Sequence, residues 1–218
     1  MHTFTEENYL KAIYRLSSKS DKGVSTNALA DRLDTKASSV TEMMKRLSDK
    51  KLIHYKKYQG VTLTKKGQKI AVSIIRKHRL WESFLVEHLN FTWDEVHPVA
   101  EQLEHIKSEL LVERLDEFLN FPKYDPHGDP IPDSKGNFPE PSRIKLTELK
   151  SGDKGVILGV TENAASFLRY LDQLGLNIGT DLKIEEKHSF DNSYDLKVND
   201  DKVVHISQEV ARNILVSN

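Results

Sequence analysis

The chain has 218 residues, with 32 Lys+Arg, 33 Asp+Glu, 9 His and no Cys. At 38% hydrophobic and 30% charged residues it is too apolar to be disordered throughout, and the lack of Cys excludes disulfides, zinc ribbons, iron–sulfur clusters and a Cys nucleophile. The net charge of −1 hides an asymmetry: residues 1–70 hold 15 basic and 7 acidic side chains, residues 71–218 hold 17 and 26, so a basic third suited to a polyanion precedes an acidic remainder.

A first helix is expected over residues 5–16, with Tyr9, Leu10, Ile13, Tyr14 and Leu16 at helical spacing, Thr5 as its cap, and Asn8 and Lys11 on its polar side. Ser25 caps a short helix over 26–33, and a third helix over 38–50 turns Val40, Met43, Met44 and Leu47 inward. Two β-prone runs, 52–55 and 61–64, flank a tip containing Gly60 and read as a hairpin. Helix, helix, turn, helix and basic hairpin make a winged helix-turn-helix that docks on double-stranded DNA. The third helix offers Lys36, Ser38, Ser39, Thr41, Glu42 and Lys45 to the major groove, and Lys56, Lys57 and Tyr58 at the wing lie along the phosphate backbone. The competing reading is a three-helix core that binds protein.

From residue 64 a long apolar helix runs to about 89, another follows FTWDEVHP to about 114, and a shorter one covers 115–119. These faces exceed what a winged helix needs, and a homodimerisation module reading two half-sites is the economical explanation. NFPKYDPHGDPIPDSKGNFPEPS then carries six of the seven prolines and reads as a stiff linker. Beyond it GVILGV, DLKIEE, YDLKV, KVVHIS and ILV are β-prone, interrupted by one helix over 164–174 that ends at Gly175, a pattern that fits a small SH3-like barrel. The fold class is thus mainly α with small β parts, divided as a winged helix-turn-helix (1–72), a helical metal-binding and dimerisation domain with its linker (73–142) and an SH3-like domain (143–218). No apolar run nears the roughly 20 residues of a membrane helix, and MHTFTEENYL lacks the pattern of a secretory signal, so no membrane partner and a cytoplasmic location are expected.

HPVAEQLEHIKSE places His97, Glu101, Glu104 and His105 on one stripe of a continuous helix, and the preceding helix carries His78 and Glu82 one turn apart. Imidazoles and carboxylates without thiolate suit Mn²⁺ or Fe²⁺, with Zn²⁺ or Co²⁺ able to bind in vitro; the alternative for each pair is a solvated polar stripe. No HExxH pattern is present, no organic cofactor is called for, and the carboxylates are committed to binding, so no enzyme is expected.

ENYLKAIYRL, SSVTEMMKRLSDKKLI, YQGVTLTKKGQKIA, KHRLWESFL, HPVAEQLEHIKSE and DPHGDPIP together resemble the diphtheria-toxin-repressor/manganese-transport-regulator family of metal-dependent repressors over essentially the whole chain. The resemblance implies a regulatory site of Asn8, Glu101, Glu104 and His105 and an ancillary site of His78, Glu82 and His97, with Asp125 and His127 at a ligand position of some manganese-type relatives and Glu162 as a C-terminal contributor. Asn8 stands where the family often has Met or Asp, Lys11 where some manganese-type members have Glu, and Glu101 where iron-type members have Cys, which favours Mn²⁺. The function implied is metal-dependent repression of metal-uptake genes; the rival is a metal-independent winged-helix regulator answering to a small molecule or a protein partner.

Overall fold

A computed structural model describes residues 2–17, 23–56, 60–139 and 143–217. The chain falls into two compact units: Met1–His78 with Gln102–Glu109 and Pro132–Asn137, and Arg79–Glu101 with Leu110–Ile131 and Phe138–Asn218.

The first unit is built from α1 (Phe4–Ser17), α2 (Thr26–Arg32), α3 (Ala37–Asp49), the antiparallel pair β1 (Ile53–Lys56) and β2 (Gly60–Leu63), and the opening turns of α4 (Lys65–Leu89). Thr3, not Thr5, starts α1: the Glu6 amide donates to Thr3 Oγ1 (3.3 Å) and the Thr3 amide to Glu6 Oε2 (3.2 Å), a reciprocal capping box that satisfies two orphan donors. Ser25 caps α2 as expected, accepting from the Ala28 amide, and Thr64 starts α4 by accepting from Gly67. Leu10, Ile13, Leu29, Val40, Met44, Leu47 and Leu52 are essentially inaccessible and form one core; burying each such side chain is worth about 1.5–3 kcal/mol. The buried Glu6 carboxylate meets Lys50 Nζ (2.7 Å) and Arg46 Nη2 (3.3 Å), strapping α1 to α3. Gly60 opens β2 at φ +83°, and a Cβ there would lie 2.7 Å from the Gly23 carbonyl, where Val24 joins the hairpin by bridging Val61.

In the second unit the end of α4 packs Leu80, Trp81 and Phe84 against α6 (Glu109–Phe118) and against Ile131. The expected helix from FTWDEVHP to about 114 is two helices, because α5 (Val96–Leu103) stops and the chain resumes as α6 at Glu109. The Pro-rich stretch is no plain spacer: Tyr124 bridges Pro130, and Ile131 is buried. The C-terminal segment is a six-stranded antiparallel sheet in the order β3 (Arg143–Lys145), β8 (Ile214–Ser217), β4 (Lys154–Val160), β5 (Asp181–Lys187), β6 (Tyr194–Val198), β7 (Lys202–Ile206). With α7 (Ala165–Leu174) and α8 (Gln208–Ala211) it forms the SH3-like module expected from the alternating segments. Gly175 ends α7 in the left-handed conformation, at φ +72°. Among the described residues no helix is long and apolar enough to cross a membrane.

Candidate functional site

α3 presents Lys36, Ser38, Ser39, Glu42 and Lys45 to solvent, as a recognition helix requires. Thr41 is half-buried and its hydroxyl donates to the Ala37 carbonyl of its own helix (2.9 Å). Lys57 and Tyr58 lie outside the described residues, as does the side chain of Lys56.

Within the first unit, α1 meets the segment that follows α5 through buried charge. Lys11 Nζ grips both oxygens of Glu104 (2.6 and 2.7 Å), and His78 Nδ1 lies 2.6 Å from Glu104 Oε2. His105 Nδ1 hydrogen-bonds Glu7 Oε2 at 2.6 Å, and its ring stacks on Phe4. Burial pushes the Glu104 carboxyl up, but His78 and Lys11 outweigh it and hold it below the usual carboxylate range. These contacts explain the break after Leu103. A continuous helix would keep Glu104 and His105 on the stripe with His97 and Glu101; the chain instead leaves the helix, and both residues become buried against α1. Asn8, the expected ligand from α1, is exposed and lines a cavity with Thr5, Tyr9, Ser39 and Glu42. Glu7, one position earlier and about 100° around the helix, occupies the inward place instead.

The second unit holds a tighter constellation. Glu82 on α4, Asp125 and His127 are all buried, with donor atoms within 4.8 Å of one another. His127 Nε2 bonds the Trp93 carbonyl (2.7 Å), which makes Nε2 the protonated nitrogen and aims Nδ1 at Glu82 Oε2, 3.7 Å away. A backbone carbonyl that fixes the tautomer in this way is the usual support of a metal-binding imidazole. His97 Nδ1 hydrogen-bonds Glu82 Oε1 (3.0 Å), and Glu101, itself exposed, sits outside it at 3.5 Å from Nε2. Asp125 closes a turn by accepting from the His127 and Asp129 amides, with Arg79 Nε 3.5 Å from its other oxygen. Gly128 makes that turn possible: at φ +79° it lies so close to β4 that a Cβ would fall 1.9 Å from the Leu158 carbonyl oxygen, and the Val160 amide donates to the His127 carbonyl.

The cluster holds protons tightly. The carboxylates of Glu101 and Glu82 raise the His97 imidazole to about 9. Burial pulls His127 down, but Glu82 and Asp125 prevail and bring it to about 9. Burial, with the charges of Glu82 and Asp129, raises the Asp125 carboxyl to about 7.

Of the other expected residues, His78 stands one turn before Glu82 on α4. Glu162 is exposed, and its carboxylate accepts from the Ala164 amide at the start of α7. Glu7, Trp93 and Arg79 were not anticipated. Glu7 was detectable as a carboxylate on the same α1 face as Leu10; the role of the Trp93 carbonyl leaves no mark in a sequence.

Three family descriptions match in succession: "Iron dependent repressor, N-terminal DNA binding domain" over residues 1–61, "Iron dependent repressor, metal binding and dimerisation domain" over 64–133, and "FeoA domain" over 144–218. The chain is 36% identical over 157 residues to the iron-dependent repressor IdeR of Mycobacterium tuberculosis, covering 68% of this chain and 67% of that one. It is 27% identical over 194 residues to the diphtheria toxin repressor of Corynebacterium glutamicum, covering 83% of each. Among solved structures, a manganese-dependent transcriptional repressor in complex with manganese superposes with a TM-score of 0.83 at 34% identity, covering 98% of this chain and 99% of that one. The manganese regulator SloR superposes at 0.73 with 38% identity, covering 98% of each.

Proposed function

The chain belongs to the diphtheria-toxin-repressor/manganese-transport-regulator family of metal-dependent transcriptional repressors, and from that premise we propose that Glu82, Asp125 and His127, with His97 beside them, hold the Mn²⁺ or Fe²⁺ that controls its grip on DNA. The observation that carries this reading is the buried triad of Glu82, Asp125 and His127, in which Trp93 fixes the His127 tautomer so that Nδ1 faces Glu82. Two carboxylates and an imidazole without thiolate match the preference of Mn²⁺ and Fe²⁺.

When bound, the cation would supply the positive charge that protons on His97, His127 and Asp125 otherwise provide. The chain's own residues do the rest. Asp125 and His127 give up the protons they otherwise hold, and Glu82 exchanges its imidazole partners for the cation. Because α4 carries both Glu82 and Ala71 of the first unit's core, the ligand set and the DNA-binding core share one continuous helix. A ligand that favours the DNA-competent arrangement shifts the population towards it by its differential affinity, typically about 1–3 kcal/mol.

Glu104, His105 and Glu7, with His78, form a further candidate ligand set in which Lys11 already serves as the cation. Lys36, Ser38, Ser39, Thr41, Glu42 and Lys45 read the major groove, and a homodimer brings two such helices to a palindromic operator of metal-uptake genes in the cytoplasm. The test is operator binding by gel shift with Mn²⁺, Fe²⁺ or chelator. Metal should tighten binding at least tenfold in the wild type and leave Glu82→Gln unchanged; equal affinity of the wild type in chelator and metal refutes the switch.

A further inference from the structure

The C-terminal sheet carries a third constellation of imidazole and carboxylate, which the regulatory reading does not use. Asp195 on β6 lies opposite His205 on β7 and opposite Glu186 on β5, so the three form one lateral row on a single face. His188, just past the end of β5, completes the group. His205 Nδ1 is 2.7 Å from Asp195 Oδ1, His188 Nε2 is 3.0 Å from Asp195 Oδ2, and Glu186 Oε1 is 3.5 Å from His188 Nδ1. One donor atom from each of His188, Asp195 and His205 lies within 4.8 Å of the others.

Two features make this more than a chance meeting of polar side chains. The sheet register places Glu186 directly across from Asp195, and like charges in opposed positions are unfavourable unless something neutralises them. The position of His188 is also fixed by the backbone: its amide donates to the Ser193 carbonyl (2.9 Å), and Asp191 braces the hairpin by accepting from both the amide and the hydroxyl of Ser193. The donors are therefore set by a hydrogen-bonded sheet and a braced turn rather than by mobile side chains alone. With His205 61% exposed, an ion enters without opening the fold.

We propose that His188, Asp195 and His205 form a separate divalent-cation site on the C-terminal module, selective for Zn²⁺ and similar imidazole-seeking ions over Mn²⁺. Two imidazoles and one carboxylate are a nitrogen-rich set, the reverse of the oxygen-rich Glu82–Asp125–His127 set, and nitrogen donors favour the later first-row metals. Zinc–nitrogen and zinc–oxygen bonds of about 2.0–2.2 Å require donor atoms roughly 3.3 Å apart around a tetrahedral ion, and the two separations from Asp195, 2.7 and 3.0 Å, lie close to that. Three protein ligands leave a fourth position for water, and Glu186, 3.5 Å from His188 Nδ1, supports that imidazole from the side of the ring opposite the ligating Nε2. The cation replaces the protons shared between Asp195 and the two imidazoles and ties β6 and β7 to the turn after β5.

The test is calorimetric titration of Zn²⁺ into the full-length protein held in excess Mn²⁺. The wild type should take up one more Zn²⁺ per chain than His188→Ala/His205→Ala, and Asp195→Asn, which preserves side-chain volume, should weaken that binding event at least tenfold. Manganese-dependent operator binding, unchanged in both variants, confirms that they are folded. Equal Zn²⁺ stoichiometry in wild type and both variants overturns the proposal, as does a Zn²⁺-binding event of undiminished affinity in Asp195→Asn.

Discussion

The two compact units each bury carboxylates beside imidazoles, yet they balance the charge differently. In the first, Lys11 closes on Glu104 with a tethered ammonium, and His105 is committed to Glu7. In the second, Glu82 and Asp125 are balanced largely by protons on His97, His127 and Asp125 itself, with Arg79 at the edge. A tethered cation cannot diffuse away, whereas a proton can be exchanged for a metal. On the reading proposed above, the contrast implies that dependence on an external ion arises where the chain leaves its buried anions to removable charge.

The sharpest way to break this comparison is to remove the tethered cation. Lys11→Met leaves Glu104 buried beside His78 without its ammonium, and loss of one partner of such a pair costs about 3–5 kcal/mol. Thermal unfolding in chelator should shift down by many degrees, and added Mn²⁺ should restore much of the loss if Glu104 then takes a metal. A stability unaffected by the substitution would show that the two clusters do not differ in this way.

Next in size is Glu82→Gln, which keeps the volume but removes the central charge of the second cluster. Metal affinity, read through operator binding, should fall by about a hundredfold or more, the upper range for losing a group in or around a metal site. Gly128→Ala follows: its Cβ would collide with the Leu158 carbonyl, displacing His127. It should lower metal affinity roughly tenfold, the lower end of that range, while leaving the Lys11–Glu104 pair intact.

The mildest probe is pH. Metal binding must expel protons from His97 and His127, held to about 9, and from Asp125, held to about 7. Metal affinity should therefore rise with pH up to about 9, by about tenfold per pH unit for each proton released. Stability of the metal-free protein should move the other way for the two histidines: their contribution is complete below the ordinary imidazole range and is lost as pH rises through about 9. A flat metal affinity between pH 7 and 9, measured by calorimetry, would contradict the protonated state of the cluster.

Much of the frame was legible because periodicity reports burial. Leu29, Val40, Met44 and Leu47 mark the inward stripes of α2 and α3, and the alternation in YDLKV matches the buried Tyr194, Leu196 and Val198 of β6. The failures share one cause. Glu7, Lys11, Glu104 and His105 are polar by composition but buried in fact, paired with partners more than 90 positions away. A local pattern assigns such residues to the polar stripe of a helix, which is why the chain after FTWDEVHP looked like one helix to about 114, whereas Asn8 was named through the resemblance and not through pattern. Asp125 and His127 were reached through resemblance rather than pattern, since an Asp–Pro turn looks the same whether it faces water or a metal.

The seating of His127 against β4 has a further bearing on how such chains can be shortened. The strand that receives the Gly128 backbone and donates to the His127 carbonyl is part of the C-terminal module. Trimming that module away should dislodge a residue lying before the cut, so on the reading proposed above the tail would hold one of the ion's ligands in place.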